Sequence, residues 1–296
     1  MSIRSTLAKT AGKATKTILE KTRSGGSSMP GKVALKLDPN ILATLAKDYR
    51  TVIVTGTNGK TLTTSFITKI FKEKYGQVLT NPTGANLLQG IISCFLGAPK
   101  QKVGTKYAVL EVDEATLKHV TRYIRPEVIV FTNLFRDQMD RYGEIYTTYQ
   151  LMLDGATQVP EATIIANGDL PIFSSVKVDN PVEYFASPTR RTASSRPITT
   201  PTHSLPELRQ HPALQAPDLF QPRQILLPVL RFQAAGTRPR CYRHRRAYAR
   251  ILTFRHRRTD YELPIAGLYN IYNALAAAAL PSIRIEDNYI RRGLTL

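Results

Sequence analysis

Thr55-Gly56-Thr57-Asn58-Gly59-Lys60-Thr61 is the stretch of this chain best suited to chemistry. Its glycines let the backbone turn N–H groups inward around phosphate oxygens. Lys60 is placed to reach the β- and γ-phosphates of a nucleotide, and the Thr61 hydroxyl is placed to bind Mg²⁺. Gly56, Thr57, Asn58, Gly59, Lys60 and Thr61 are therefore the expected nucleotide-binding residues. The commoner loop spacing asks for Gly at position 54, where the chain has Val54, so the loop is a shorter variant. The bland alternative is a tight strand-to-helix turn with an incidental lysine.

A phosphate loop needs a buried strand before it and a helix after it. Thr51-Val52-Ile53-Val54 supplies the strand, and Leu62, Phe66, Ile67, Ile70 and Phe71 recur at helical spacing beyond Lys60. Further strands are expected at 77–80, 107–112, 128–133 and 163–167, with helices at 41–50, 84–96 and 146–153. Near the end, TDYELPIAGLYNIYNALAAAAL reads as strand, turn and helix. Strands alternating with helices predict an α/β fold with a parallel sheet.

The loop string resembles the ATP loop of Mur ligases and folylpolyglutamate synthases. A narrower resemblance, to the lipid II-amidating branch of the Mur ligases, rests on several more strings. These are LKLDPN (35–40), NPTGANL (81–87), LEVDEA (110–115), TNLFRDQMDRYGE (132–144) and GLYNIYNAL (267–275). It covers about 1–186 and 259–296 and implies a Mur-ligase central domain with a P-loop. It also implies ATP and Mg²⁺ as cofactors, zinc in the intact family member, lipid II as substrate and a GatD-type glutamine amidotransferase as partner subunit. The implied reaction is ATP-dependent amidation of the α-carboxylate of D-glutamate in lipid II to D-isoglutamine, in the cytoplasm at the inner membrane surface. Folylpolyglutamate synthesis is the alternative within the family.

The resemblance also assigns roles. Lys60 and Glu111 become catalytic, and Thr61 and Glu111 become Mg²⁺ ligands. Glu111 ends a buried strand, near where the ligand crevice of such a sheet lies. Asp113 and Glu114 are close by, and Asp113 is equally suited to cap the next helix. Asn167 and Asp169 resemble a nucleotide-side Asn-x-Asp turn, with a plain Asx turn as the alternative. One of Asn270 and Asn273 is expected to contact adenine, since an amide offers both donor and acceptor. Asp137 and Asp140 follow a strand, but Gln138 stands where related ligases have His. Cys94, in an apolar run, reads as a core thiol, and His119 as a surface histidine.

The chain has 296 residues and a net charge of +19, and its location matters more than its size. Residues 1–40 hold eight Lys and Arg against two acids, and residues 188–258 hold fifteen Arg against two acids; the remainder is neutral. No apolar run approaches the ~20 residues of a membrane span. Two cysteines build no disulfide framework. Residues 1–27 read as a basic amphipathic helix, with Ile3, Leu7, Ala11, Ala14 and Ile18 as its apolar positions. It suits an anionic membrane surface, with a plain surface helix as the alternative.

Residues 188–258 hold nine Pro and four of the five His, and sustain no helix or strand period. Family members carry a four-cysteine zinc ribbon in this place. Read one base downstream, with synonymous codons chosen to suit, His203–His211 spells Cys-Pro-Asn-Cys-Gly and Ile225–Phe232 spells Cys-Pro-Ser-Cys-Gly. We therefore expect 188–258 to be a frameshifted zinc ribbon that is irregular as written, with no zinc ligands in the written frame beyond the isolated Cys241 and scattered His. No nucleic-acid partner is expected on this view. A phosphate-contacting Arg arm is the rival. The expected organisation is a basic segment 1–40, an ATP-binding domain 41–187, the anomalous 188–258, and the last part of the central domain at 259–296, with a further C-terminal domain missing.

Overall fold

A computed structural model describes residues 3–22, 28–82, 84–99, 104–134, 144–186, 252–256, 259–265, 268–280 and 285–295. Two helices, α1 (Ile3–Thr22) and α2 (Met29–Leu37), precede a short α3 (Ile41–Ala46). Then come β1 (Tyr49–Thr55), α4 (Lys60–Tyr75), β2 (Val78–Thr80), α5 (Leu88–Leu96), β3 (Lys106–Glu111) and α6 (Glu114–Val120). The chain continues through β4 (Val128–Phe131), α7 (Glu144–Ala156), β5 (Thr163–Asn167) and β6 (Val182–Phe185). It ends with β7 (Leu252–His256), β8 (Thr259–Leu263), α8 (Leu268–Ala278) and α9 (Asp287–Leu294).

The main sheet runs β2-β3-β1-β4-β5-β6, and all its pairings are parallel. The expected α/β class is what the chain adopts. β1 sits between β3 and β4: the crossover from β1 to β2 runs toward one edge of the sheet, and that from β3 to β4 passes over β1 toward the other. A crevice opens at such a reversal, at the carboxyl ends of the strands. The loop after β1 lies there.

Alternation along each strand divides the core. Ile53, Leu110, Ile129 and Ile164 face a cluster with α1, α2, α3, α5, α6 and α7. Val52, Val54, Val109, Val128 and Val130 face the other, with α4, α8 and α9. Strands buried on both faces read as continuous apolar runs, which is why these were legible.

Several boundaries differ from expectation. The helix expected over 41–50 stops at Ala46, because Tyr49 and Arg50 already pair with Lys106 and Tyr107 of β3. The helix expected from 84 starts at Leu88, since Ala85 N–H closes a turn on Pro82 O (2.9 Å). Residues 1–40 do not stand apart: Ala8 and Ala34 lie fully buried in the shared core. The irregularity expected throughout 188–258 ends early, at β7. There Leu252 and Phe254 register opposite Leu263 and Tyr261 of β8, an alternating pair of apolar positions. The rest of that block, with Cys241 and the frameshift reading, lies outside the described residues, as do Asp137, Gln138 and Asp140.

α9 closes on α4 through Gly293. A Cβ added there would sit 2.5 Å from Ile70 N. Backbone cannot yield as a flexible side chain can, so Gly293→Ala is expected to cost about 1–3 kcal/mol and lower the melting temperature by several degrees. An unchanged thermal melt would show that this helix contact is not native.

Candidate nucleotide site

The strand ends place four groups around the loop. Gly56 and Gly59 hold φ of 128° and 90°, left-handed values that glycine adopts without strain. Gly59 is the cap of α4, so the loop runs straight into the helix N-terminus. Thr57 N–H donates to Asn133 O (2.7 Å), as does the Thr57 hydroxyl (3.1 Å). Thr132 Oγ1 donates to Asn58 O (2.8 Å). The end of β4 therefore holds the loop's outer edge.

Lys60 does not stand free in solvent at the mouth of the loop. Its Nζ donates to Gly56 O (2.6 Å), Thr57 O (3.4 Å) and Glu114 Oε1 (3.0 Å). The Lys60 and Glu114 side chains are only 15% and 12% exposed. A buried ammonium needs a counter-charge, and Glu114, at the start of α6, supplies it. Thr61 stands exposed on the first turn of α4.

Glu111 ends β3 beside Val54 and is 6% exposed. Asn81 clamps its backbone, accepting from Glu111 N–H and donating to Glu111 O, both at 2.9 Å. Asn86 Nδ2 donates to its Oε1 (3.2 Å), and it joins no ion pair among the described residues. A buried carboxylate met by one neutral amide fits a divalent cation. Among the described residues no cluster of three or more His, Cys, Asp or Glu could hold a metal. A nucleotide-bridging Mg²⁺ takes one or two protein oxygens plus phosphates and water, so such an ion would not call for a cluster.

The other residues sort themselves. Asp113 caps α6, accepting from Ala115 N–H (3.1 Å). Asn167 Oδ1 accepts from Asp169 N–H (3.0 Å), an Asx turn, while its amide donates to Asn133 Oδ1 (2.7 Å). Tyr272 Oη donates to Asp169 Oδ2 (2.7 Å). Asn273 is buried behind the loop, where Thr63 Oγ1 donates to its Oδ1 (3.3 Å) and a Cβ on Gly59 would collide with it. Asn270 lies half-buried one turn earlier. Loop, Asn133, Asn167, Asp169, Tyr272 and α8 thus close a ring back onto Gly59. Burial pushes the Cys94 thiol up to about 12, as a core thiol should be, and His119 is exposed.

Sequence reasoning missed Asn81, Asn86, Thr132, Asn133 and Tyr272 as parts of this site. All five stand in strings already quoted for the resemblance, but nothing local gives them a task.

The Mur ligase middle domain family matches residues 54–186. The chain is 43% identical, over 98% of its length, to a Streptococcus pneumoniae protein, lipid II isoglutaminyl synthase (glutamine-hydrolyzing) subunit MurT. It is 30% identical, over 97% of its length, to the Staphylococcus aureus subunit of the same name. It spans 65% and 64% of those relatives, just under two thirds. Among solved structures, MurF ligase from Thermotoga maritima in complex with ADP aligns over 87% of this chain and 52% of its own, with a TM-score of 0.57 and 14% identity.

Proposed function

We propose that this chain, which matches the Mur ligase middle domain family over residues 54–186, is a member of that family and the ATP-using subunit of a lipid II isoglutaminyl synthase. The reaction would phosphorylate the α-carboxylate of D-glutamate in the stem peptide. Ammonia from a GatD-type glutaminase would then displace phosphate to leave D-isoglutamine. The observation that carries this reading is the 43% identity extending over nearly the whole chain, rather than over the loop alone.

The chemistry explains the parts. A carboxylate is a poor acyl donor because its leaving group would be oxide, and an acyl phosphate supplies a better one. The transferred phosphoryl needs charge neutralisation and alignment. Lys60 supplies a cation at the loop, and the backbone N–H groups of 59–61, at the start of α4, would meet the phosphates. Glu111 and Thr61 would hold Mg²⁺, which when bound adds Lewis-acid charge stabilisation. Asn270 or Asn273 would meet adenine, with Asn167 and Asp169 on the nucleotide side.

Zinc belongs to this proposal only through the restored frame. The written residues 188–251 offer Cys241 and scattered His where four cysteines are needed, so no zinc site is assigned to them. Sequencing the gene over codons 180–300 tests the frameshift. A restored chain should carry about one zinc on the Cys₄ stoichiometry, measured by metal analysis, and an in-frame block in independent isolates would overturn it.

The functional test is calorimetry with ATP on the chain as written, followed by amidation of lipid II, read by mass spectrometry, with a GatD-type subunit and the frame-restored chain. ATP binding with D-isoglutamine formation supports the reading; ligation of an amino acid instead of ammonia overturns it. In the same assay Glu111→Ala should lower Mg²⁺-dependent turnover by about 100-fold or more while weakening ATP binding less. An unaltered Mg²⁺ dependence would remove Glu111 from the metal site.

A further inference from the structure

The amphipathic reading of α1 places its apolar residues on one face, and the structure shows which way that face points. α1 packs on α2 and α5 through its small residues Ser5, Ala8 and Gly12, all buried. A Cβ on Gly12 would meet Leu96 Cδ1 at 2.6 Å and Ala34 Cβ at 3.2 Å, so the helices touch closely there. The aliphatic side faces outward: Ile3 is 91% exposed, Leu7 60% and Ile18 60%. At about 100° per residue, Ile3, Leu7, Ala14 and Ile18 fall within an arc of about 60°, roughly opposite the packed side.

Single exposed aliphatics are ordinary, but a line of them along a helix is not. Its surroundings say what covers it. Arg4, Lys9, Lys13, Lys16 and Lys21 stand on this helix against one acid, Glu20, which pairs with Lys16 (3.8 Å). Lys13 is exposed about 80° from the edge of the stripe, and Lys21 is exposed at its C-terminal end. A convex apolar ridge with basic flanks suits an anionic bilayer surface, where aliphatic chains enter the acyl boundary and ammonium groups meet headgroup phosphates. No helix among the described residues is long and apolar enough to cross a membrane, so the contact is of the lying-on kind.

We propose that α1 is an interfacial helix that docks this protein on anionic membrane through Ile3, Leu7, Ala14 and Ile18, with its packed side holding the catalytic fold above the surface. The docking is independent of the reaction proposed above, and its test uses vesicles free of lipid II.

The chain contains no tryptophan, so Leu7→Trp creates a single reporter. With vesicles of phosphatidylcholine and phosphatidylglycerol, its emission should shift to the blue and revert on raised salt; phosphatidylcholine alone should leave it unshifted. In flotation, the triple variant Ile3→Asp, Leu7→Asp, Ile18→Asp should bind those anionic vesicles about tenfold or more weakly than the parent, with its circular dichroism and ATP affinity unchanged. The proposal falls if the reporter does not shift, or if the triple variant floats as well as the parent, which would assign binding to other basic residues. It also falls if sedimentation shows the parent to be a dimer that the triple variant dissociates, since the stripe would then serve a second copy.

Discussion

Lys60→Ala is expected to weaken ATP binding by about 100-fold or more, the loss of roughly 3 kcal/mol of charge-assisted contact to phosphate. It is also expected to loosen the fold. Lys60 and Glu114 are almost out of solvent, so removing the ammonium strands a buried carboxylate, a change that costs about 3 kcal/mol. The two effects separate in the double variant Lys60→Ala, Glu114→Gln. With the stranded charge gone, most of the stability should return while ATP binding stays lost. Calorimetry and thermal melts on both variants check this. If the single variant binds ATP like the parent, Lys60 is not a phosphate ligand; if the double is no more stable than the single, the ion pair carries no weight.

Gly59→Ala should be the other severe change. Its φ of 90° strains any residue with a Cβ, at about 1–2 kcal/mol. The new methyl would also run into Asn273 Oδ1, a collision of the kind that costs about 1–3 kcal/mol. If the native loop is what binds phosphate, ATP affinity should fall by about 30-fold or more. Adding Asn273→Ala removes the collision but not the backbone strain, so, measured against Asn273→Ala alone, the Gly59→Ala change should still lower affinity but by less than it does in the parent. No loss on that comparison would mean that the loop's left-handed turn is dispensable; no loss at all in the single variant would mean that Gly59 does not face its ligand.

What could be read beforehand was local. β1, the loop and α4 are contiguous, and each announces itself by residue type and period. The double burial of β3, β4 and β5 likewise shows as short apolar runs. What stayed hidden was pairing across the chain. Glu114 was visible only as an acid near Glu111, because its partner Lys60 is 54 positions away. Tyr272 and Asp169 meet across 103 positions. α1 gives a subtler lesson. Its aliphatic positions were correctly found, and hydrophobic spacing alone would turn them toward a core. Ser5, Ala8 and Gly12 took the core side instead, because small residues let two helices approach more closely than large ones would. α2 was missed, although Pro30 stands in its first turn, where proline is favourable.

The brace that α8 lends the loop has a consequence for the nascent chain. Thr63 and Asn273 are separated by 210 positions, which at ribosomal speeds of 5–20 residues per second is roughly 10–40 s of synthesis. Once Glu111 has been added, β1, α4 and β3 are available to pair, yet until α8 follows Gly59 has no Asn273 behind it and Asp169 no Tyr272. The nucleotide site therefore matures after the sheet that frames it, and a ribosome stalled before α8 would display most of the parallel sheet with its loop still unbraced.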